Sequence, residues 1–197
     1  MGDIGLYQQK YTLRRFLRMI PGIEKLSPNA LSITAFVPGI LAALFIYKGW
    51  WWWVPLAIFA RMIFNTLDGL VAEEYGKSTR VGAYLNRVPG EYTDLLIVAA
   101  LWPYSPPGWV LALVVLTGWV QLFGVLGLVA GGKTQSVGPC GQTDRLVIII
   151  IGSVLAALHV RVWPVLVPIM CAGCALTLVL RMSRSLREIS QPATATP

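Results

Sequence analysis

The sequence predicts an all-α integral membrane protein: six transmembrane helices preceded by an N-terminal cytoplasmic amphipathic helix. Three observations predict it. The 197 residues are 56% hydrophobic and only 13% charged, with a mean hydropathy of +0.66, more apolar surface than one soluble core of this size hides. Apolar windows of about 18 to 20 residues, the length that spans the hydrocarbon core, recur at 29–47, 51–72, 88–104, 108–130, 146–160 and 163–181. All but two of the 16 Lys and Arg, the exceptions being Lys48 and Arg161, fall on one side of such a six-span layout. Bases are retained on the cytoplasmic side, so both termini are expected there, in a prokaryotic inner (plasma) membrane.

The elements follow in order. Residues 1–27 form a cytoplasmic juxtamembrane segment in which Leu6, Leu13, Phe16, Leu17 and Ile20 alternate with Lys10, Arg14, Arg15 and Arg18, the pattern of a basic amphipathic helix lying on the membrane surface. No continuous apolar core or small-residue cleavage site marks it as a secretory signal. Ser27-Pro28-Asn29 starts the first span, with Ser27 as cap and Pro28 in the first turn. Trp50 to Trp53 form an outer-interface aromatic belt before the second span. Tyr104-Ser105-Pro106-Pro107-Gly108 is an uncharged outer turn between spans three and four. A polar, glycine-containing loop, Gly131 to Thr143, leads through Asp144-Arg145 into the fifth span. The transmembrane domain is expected over 28–182, and a cytoplasmic tail over 183–197.

Composition narrows the functional classes. The net charge of +7 fits membrane topology and attraction to anionic lipid headgroups. No basic stripe interleaved with exposed aromatics points to nucleic acid. Cys140, Cys171 and Cys174 make no disulfide framework, and Cys-x-x-Cys within an apolar helix reads as packing. His159, beside Arg161 and Trp163, reads as an interfacial anchor.

The chemistry concentrates on the second and third spans. Arg61, Asn65, Asp68 and Ala72 are spaced by four, three and four residues, so they share one helical face. Gly82, Asn86, Gly90 and Asp94 recur every four residues on the next helix, with Arg87 and Glu91 on an adjacent stripe. Carboxylates at membrane depth are costly to bury and mark function. Oxygen ligands without His or thiolate select hard cations such as Mg²⁺, Mn²⁺ or Ca²⁺. Near a membrane surface such an ion suits phosphoryl chemistry, because it neutralises a diphosphate and orients an attacking hydroxyl.

These residues resemble the CDP-alcohol phosphotransferases, the family that includes the phosphatidyltransferases of phospholipid synthesis. Its pattern is DxxDGxxAR, eight residues, then GxxxDxxxD, on two helices of a six-helix membrane fold. The spacing is kept in Asn65, Asp68-Gly69, Ala72-Glu73, Gly82, Asn86 and Gly90. Thr79 to Leu85 and the Ser27 to Ser32 stretch are also similar. Four positions depart: Asn65 and Asn86 replace acids, Glu73 replaces the arginine, and Gly90 stands at the family's proposed base. The chain looks most like a subgroup beginning Asn-x-x-Asp-Gly after an upstream arginine, here Arg61, with a loop similar to Gly138-Pro139-Cys140-Gly141-Gln142-Thr143-Asp144-Arg145.

The resemblance implies transfer of a phosphatidyl or phospho-alcohol group from a CDP-linked lipid or alcohol donor to an alcohol acceptor, with release of CMP, and is compatible with a homodimer. It implies Mg²⁺ or Mn²⁺ held by Asn65, Asp68, Asn86 and Asp94. Glu91 is expected as the catalytic base, with Asp94 beside it. Substrate contacts are implied at Arg61, Gly69, Ala72, Gly82, Lys133, Asp144 and Arg145, where backbone N–H groups at a helix start and an adjacent Arg suit phosphate oxygens. Glu73 and Arg87 are opposite in sign where the subgroup carries the reverse, which predicts a charge-swapped pair between the two helix ends. Two rivals remain: a catalytically impaired family member acting as a lipid-binding or assembly protein, and a transporter, which intramembrane acids also permit.

Overall fold

In the computed structural model, which describes residues 17–18 and 22–190, the chain is all-α. After a short 3-10 turn at Ile23–Lys25 come α1 (Pro28–Thr34), α2 (Phe36–Lys48), α3 (Trp53–Glu74), α4 (Arg80–Ala99), α5 (Pro107–Leu126), α6 (Gln142–Ala157) and α7 (Trp163–Ser190). Four stretches among the described residues, Pro28–Lys48, Trp53–Glu74, Pro107–Ala130 and Trp163–Ser190, are long and apolar enough to cross a membrane. The other two helices differ for stated reasons. The helix α4 has 20 residues but carries Arg80, Arg87, Glu91 and Asp94, and α6 has only 16.

Local chemistry sets the boundaries. The Ser27 hydroxyl accepts from the Ala30 N–H at 3.5 Å with Pro28 at the first position of α1. The first expected span is broken at Ala35, because Pro38 has no N–H for the Thr34 carbonyl and its ring crowds that oxygen. Gly49 closes α2 in the left-handed conformation, φ 72°. Thr79 caps α4 by accepting from the Gly82 N–H at 2.9 Å, so this helix starts eight residues before the hydropathy window at 88. At the other end α7 runs on to Ser190, through most of the stretch expected as a tail.

The helices α1 and α2 pack between α3 and α4; α4 leads to α5, α5 packs along α7, and α6 bridges α3 and α7. One apolar core joins Ile46, Ile58, Ile97, Leu113, Ile149 and Met170 through the middle of the bundle. Outward faces carry exposed Val37, Leu44, Phe59, Leu111, Val115, Leu122, Ile169 and Val179. So much uncovered apolar surface is lipid-facing in character. At one end Trp51 stacks against Tyr104 (4.6 Å) and Trp163 (5.6 Å). The polar site lies at the other end.

The expected amphipathic helix falls largely outside the described residues. Within them, Leu17 is buried against Ile23, Leu31 and Leu70, and the Arg18 guanidinium pairs with Glu74 at the end of α3, Nε to Oε1 2.8 Å. Lys77 donates to the Leu26 carbonyl at 2.9 Å. These contacts tie the start of the chain to the α3–α4 turn.

Candidate functional site

A cleft of about 520 Å³ opens where the end of α3, the start of α4 and the start of α1 meet. Asp68, Gly69, Ala72, Glu73, Gly82, Asn86 and Arg87 line it, with Ser32, Lys77 and Thr134. The i, i+4 spacing puts Asp68 and Ala72 on one face of α3, and Gly82 lets the start of α4 approach α1. A Cβ at Gly82 would stand 3.0 Å from Asn29 Oδ1.

Asp68 is the fixed point. It is buried, its Oδ2 accepts from the Ser32 hydroxyl at 2.6 Å, and its Oδ1 accepts from the Gly69 N–H at 2.6 Å. Charge-assisted bonds of this kind hold a carboxylate in one orientation. Asn65, one turn deeper on α3, has its Oδ1 buried without a hydrogen-bond partner among the described residues. A Cβ at Gly90 would lie 3.7 Å from that oxygen and 3.4 Å from Gln142 Nε2. The fourth motif position therefore faces the first between α3 and α4, and Gly90 leaves it without a side chain.

An orphaned carbonyl oxygen beside a held carboxylate, with the Asn86 amide across the cleft, is an all-oxygen donor set that fits one hard divalent cation. Among the described residues no three His, Cys, Asp or Glu side chains converge, so the donors do not suit a carboxylate-bridged pair of ions.

The remaining expected residues stand elsewhere. Asp94 and Arg145 do not line the cleft. They form an ion pair with both side chains fully buried, in which Gln121 Nε2 also donates to Asp94 Oδ2 at 3.0 Å and Arg145 Nη1 donates to the Cys140 carbonyl at 2.8 Å. This corrects the placement of Arg145 at a phosphate and of Asp94 at the ion: the guanidinium and carboxylate neutralise each other inside the bundle. Asp144 Oδ2 accepts from the Gly141 N–H at 3.0 Å, which makes it a cap for α6. Arg61 is buried and spans α3 to α4, donating to Thr93 Oγ1 at 2.8 Å and to the Gly90 carbonyl at 2.5 Å. Gln142 donates to the same carbonyl at 2.9 Å.

Pro89 does not break α4, so Glu91 stays off the stripe that faces the cleft. It pairs instead with Arg87, one turn earlier, at 3.2 Å. Arg87, expected to pair with Glu73, thus has a carboxylate partner on its own helix, and both Glu73 and Arg87 line the cleft. Lys133 borders a separate cleft of about 390 Å³ with Arg184, Arg187 and Glu188. Sequence reasoning missed Ser32, Gln121, Gln142 and Thr93 as members of the polar network. Ser32 and Gln142, which lie in stretches similar to the family, carried a signal; Gln121 and Thr93 carried none.

The fold has known counterparts. The model of the family described as CDP-alcohol phosphatidyltransferase matches residues 25–183, most of the chain. The chain belongs to this family. Inner membrane protein YnbA of Escherichia coli (strain K12) is 31% identical over 97 residues, covering 48% of each chain, so this chain spans about half the length of that relative. Phosphatidylinositol phosphate synthase of Mycolicibacterium smegmatis is 26% identical over 155 residues, 70% of each chain. Among solved structures, Mycobacterium tuberculosis phosphatidylinositol phosphate synthase with CDP-DAG bound superposes with a TM-score of 0.68 at 20% identity, covering 96% of this chain and 97% of that one. The same synthase in complex with manganese and citrate gives 0.69 at 20% identity, covering 96% and 92%. At this identity the likeness is one of fold. Family membership, with four stretches long and apolar enough to cross a membrane, makes the chain an integral membrane protein of the CDP-alcohol phosphatidyltransferase family.

Proposed function

We propose that the protein transfers a phosphatidyl or phospho-alcohol group from a CDP-linked donor to an alcohol at the cytoplasmic membrane interface, releasing CMP. The observation that carries this reading is the one cleft shared by Asp68, held by Ser32 and Gly69, and Asn86; the unpartnered Asn65 oxygen is buried one turn below Asp68 on α3. Asp68, Asn65 and Asn86 hold a single Mg²⁺ or Mn²⁺. When bound, that ion neutralises diphosphate charge. The relative solved with CDP-DAG supports a CDP-linked lipid as donor, and the one solved with manganese supports the ion.

The protein's own groups do the rest. Lys77 and Arg87 at the cleft wall balance the charge of a phosphate-bearing donor. The hydroxyl proton passes to Glu73, which lines the cleft together with Asp68. Arg61, through the Gly90 carbonyl and Thr93, fixes α4 against α3 and so sets the distance between Asp68 and Asn86.

In the same reading all six helical stretches span the bilayer with both termini cytoplasmic. The segments 1–27, 28–182 and 183–197 are juxtamembrane anchor, transmembrane domain and tail, although α7 crosses the last border without a break.

The second reading, an impaired member that binds lipid without turning it over, is favoured by one observation: Gly90 leaves the site without a carboxylate facing Asn65. Purified protein supplied with CDP-diacylglycerol, Mn²⁺ and a panel of free and phosphorylated polyols decides between them. Acceptor-dependent CMP release supports the transferase. Binding of the donor with no CMP under any acceptor supports the second reading.

A further inference from the structure

Residues 131–141 connect α5 to α6 and lie along α7. The seam is tight because small residues face it. A Cβ at Gly138, whose φ is 119°, would collide with Thr177, and a Cβ at Gly173 would stand 3.0 Å from Cys140 Cβ. Two hydrogen bonds hold the segment down: the Cys140 N–H to Thr177 Oγ1 at 3.0 Å and Arg181 Nε to the Val137 carbonyl at 3.1 Å.

This packing presses one thiol onto another. Cys140 Sγ lies 3.4 Å from Cys174 Sγ, with the two residues 2% and 0% exposed. The Cys-x-x-Cys spacing of 171 and 174 read as packing within α7. Cys171 directs its sulfur to the Trp109 carbonyl at 3.5 Å, whereas Cys174 meets a thiol 34 residues away.

We propose that Cys140 and Cys174 are a redox modification site: a small peroxide-class oxidant converts them to a disulfide that fastens the 131–141 segment to α7. One thiolate sulfur attacks a peroxide oxygen, the O–O bond breaks, and a sulfenic acid forms with loss of water. The second sulfur displaces the hydroxyl as another water. Two thiols and one peroxide give one disulfide and two waters, and the two electrons go to the O–O bond.

The geometry favours the second step. A disulfide needs the sulfurs about 1.4 Å closer than they stand, and the side chains already face each other across backbones in near contact. In a reducing cytoplasm the pair rests as dithiol, so the bond forms under oxidant and is undone by thiol exchange.

The consequence reaches the polar end of the bundle. Thr134 on the same segment lines the Asp68 cleft, and the Cys140 carbonyl accepts from Arg145, the partner of Asp94. Oxidation therefore fixes one wall of the cleft.

The test uses the full chain in lipid nanodiscs, treated with hydrogen peroxide, denatured, alkylated and weighed. Two of three thiols should escape alkylation, a proteolytic fragment should link Cys140 to Cys174, Cys171 should carry the label, and dithiothreitol should restore all three. The thermal midpoint should rise on oxidation in the wild type and in Cys171→Ser, and stay unchanged in Cys140→Ser. Because Cys140→Ser could disturb the seam, the Cys171→Ser protein provides an independent readout by mass alone. A Cys171–Cys174 link, crosslinked dimers, or three labelled thiols under peroxide that oxidises a denatured sample would overturn the proposal.

Discussion

Replacing Arg145 by Met separates two accounts of this residue most sharply. The sequence pattern put Arg145 at a substrate phosphate, whereas the fold buries it completely against Asp94. Removing the guanidinium leaves the buried Asp94 carboxylate without its cationic partner, with Gln121 Nε2 still donating to it at 3.0 Å. Breaking a buried ion pair from one side costs about 3–5 kcal/mol. The Cys140 carbonyl also loses its donor, for about a further 1 kcal/mol. Against a total stability of roughly 5–15 kcal/mol, most of the folded population is at risk. Adding Asp94→Asn removes the stranded charge and keeps a partner for Gln121. The double variant should therefore return to within about 1–2 kcal/mol of wild type, since neutral replacement of both partners is often tolerated. Equilibrium unfolding in mixed micelles of the wild type, both single variants and the double variant gives the coupling directly. A fully stable Arg145→Met protein with a raised KM for the CDP-linked donor would refute this reasoning and return Arg145 to the phosphate.

Further outcomes follow from the same geometry. Gly90→Asp has room, since its nearest neighbours would be 3.4 Å away; it should bind Mn²⁺ about tenfold more tightly by adding a ligand charge, and calorimetry showing no change would mean the position does not face the ion. Gly39→Ala places a Cβ 2.6 Å from Thr93 Cβ, and Thr93 is held between Arg61 and the Pro89 carbonyl, so thermal unfolding should show a loss of about 1–3 kcal/mol. Glu73→Gln should lower turnover with Mn²⁺ affinity largely kept, and Glu91→Gln should change little beyond the exposed contact to Arg87; the reverse order of effects would return the base to Glu91.

Much of the fold could be read from apolar length alone. The stretch at 163–181 falls inside α7, the one at 51–72 lies in α3 from residue 53 onward, and Ser27 caps α1 as its residue type suggests. Hydropathy misplaced α4 because its first two turns, Arg80 to Arg87, are too polar to register, although they continue one helix from the Thr79 cap. The cleft was legible where its residues share a helix face, as Asp68 with Ala72 or Gly82 with Asn86, because a 3.6-residue period fixes which side chains are neighbours. It was illegible where partners are distant in sequence. Arg145 meets Asp94 across 51 residues, and nothing in a one-dimensional pattern distinguishes an arginine aimed at a ligand from one aimed at a buried carboxylate. Arg181 shows the same limit: counted as a topological flank, it is buried and donates to the Val137 carbonyl at 3.1 Å.

The central claim is that Asp68 anchors a metal-dependent transfer site. Its most direct test is CMP release from CDP-diacylglycerol, with and without Mn²⁺, by purified wild type and Asp68→Asn, with thermal unfolding recorded alongside. The account predicts metal-dependent release by wild type and its near-complete loss in Asp68→Asn, in protein that stays folded and binds Mn²⁺ more weakly. Equal, metal-dependent release by both proteins would contradict it.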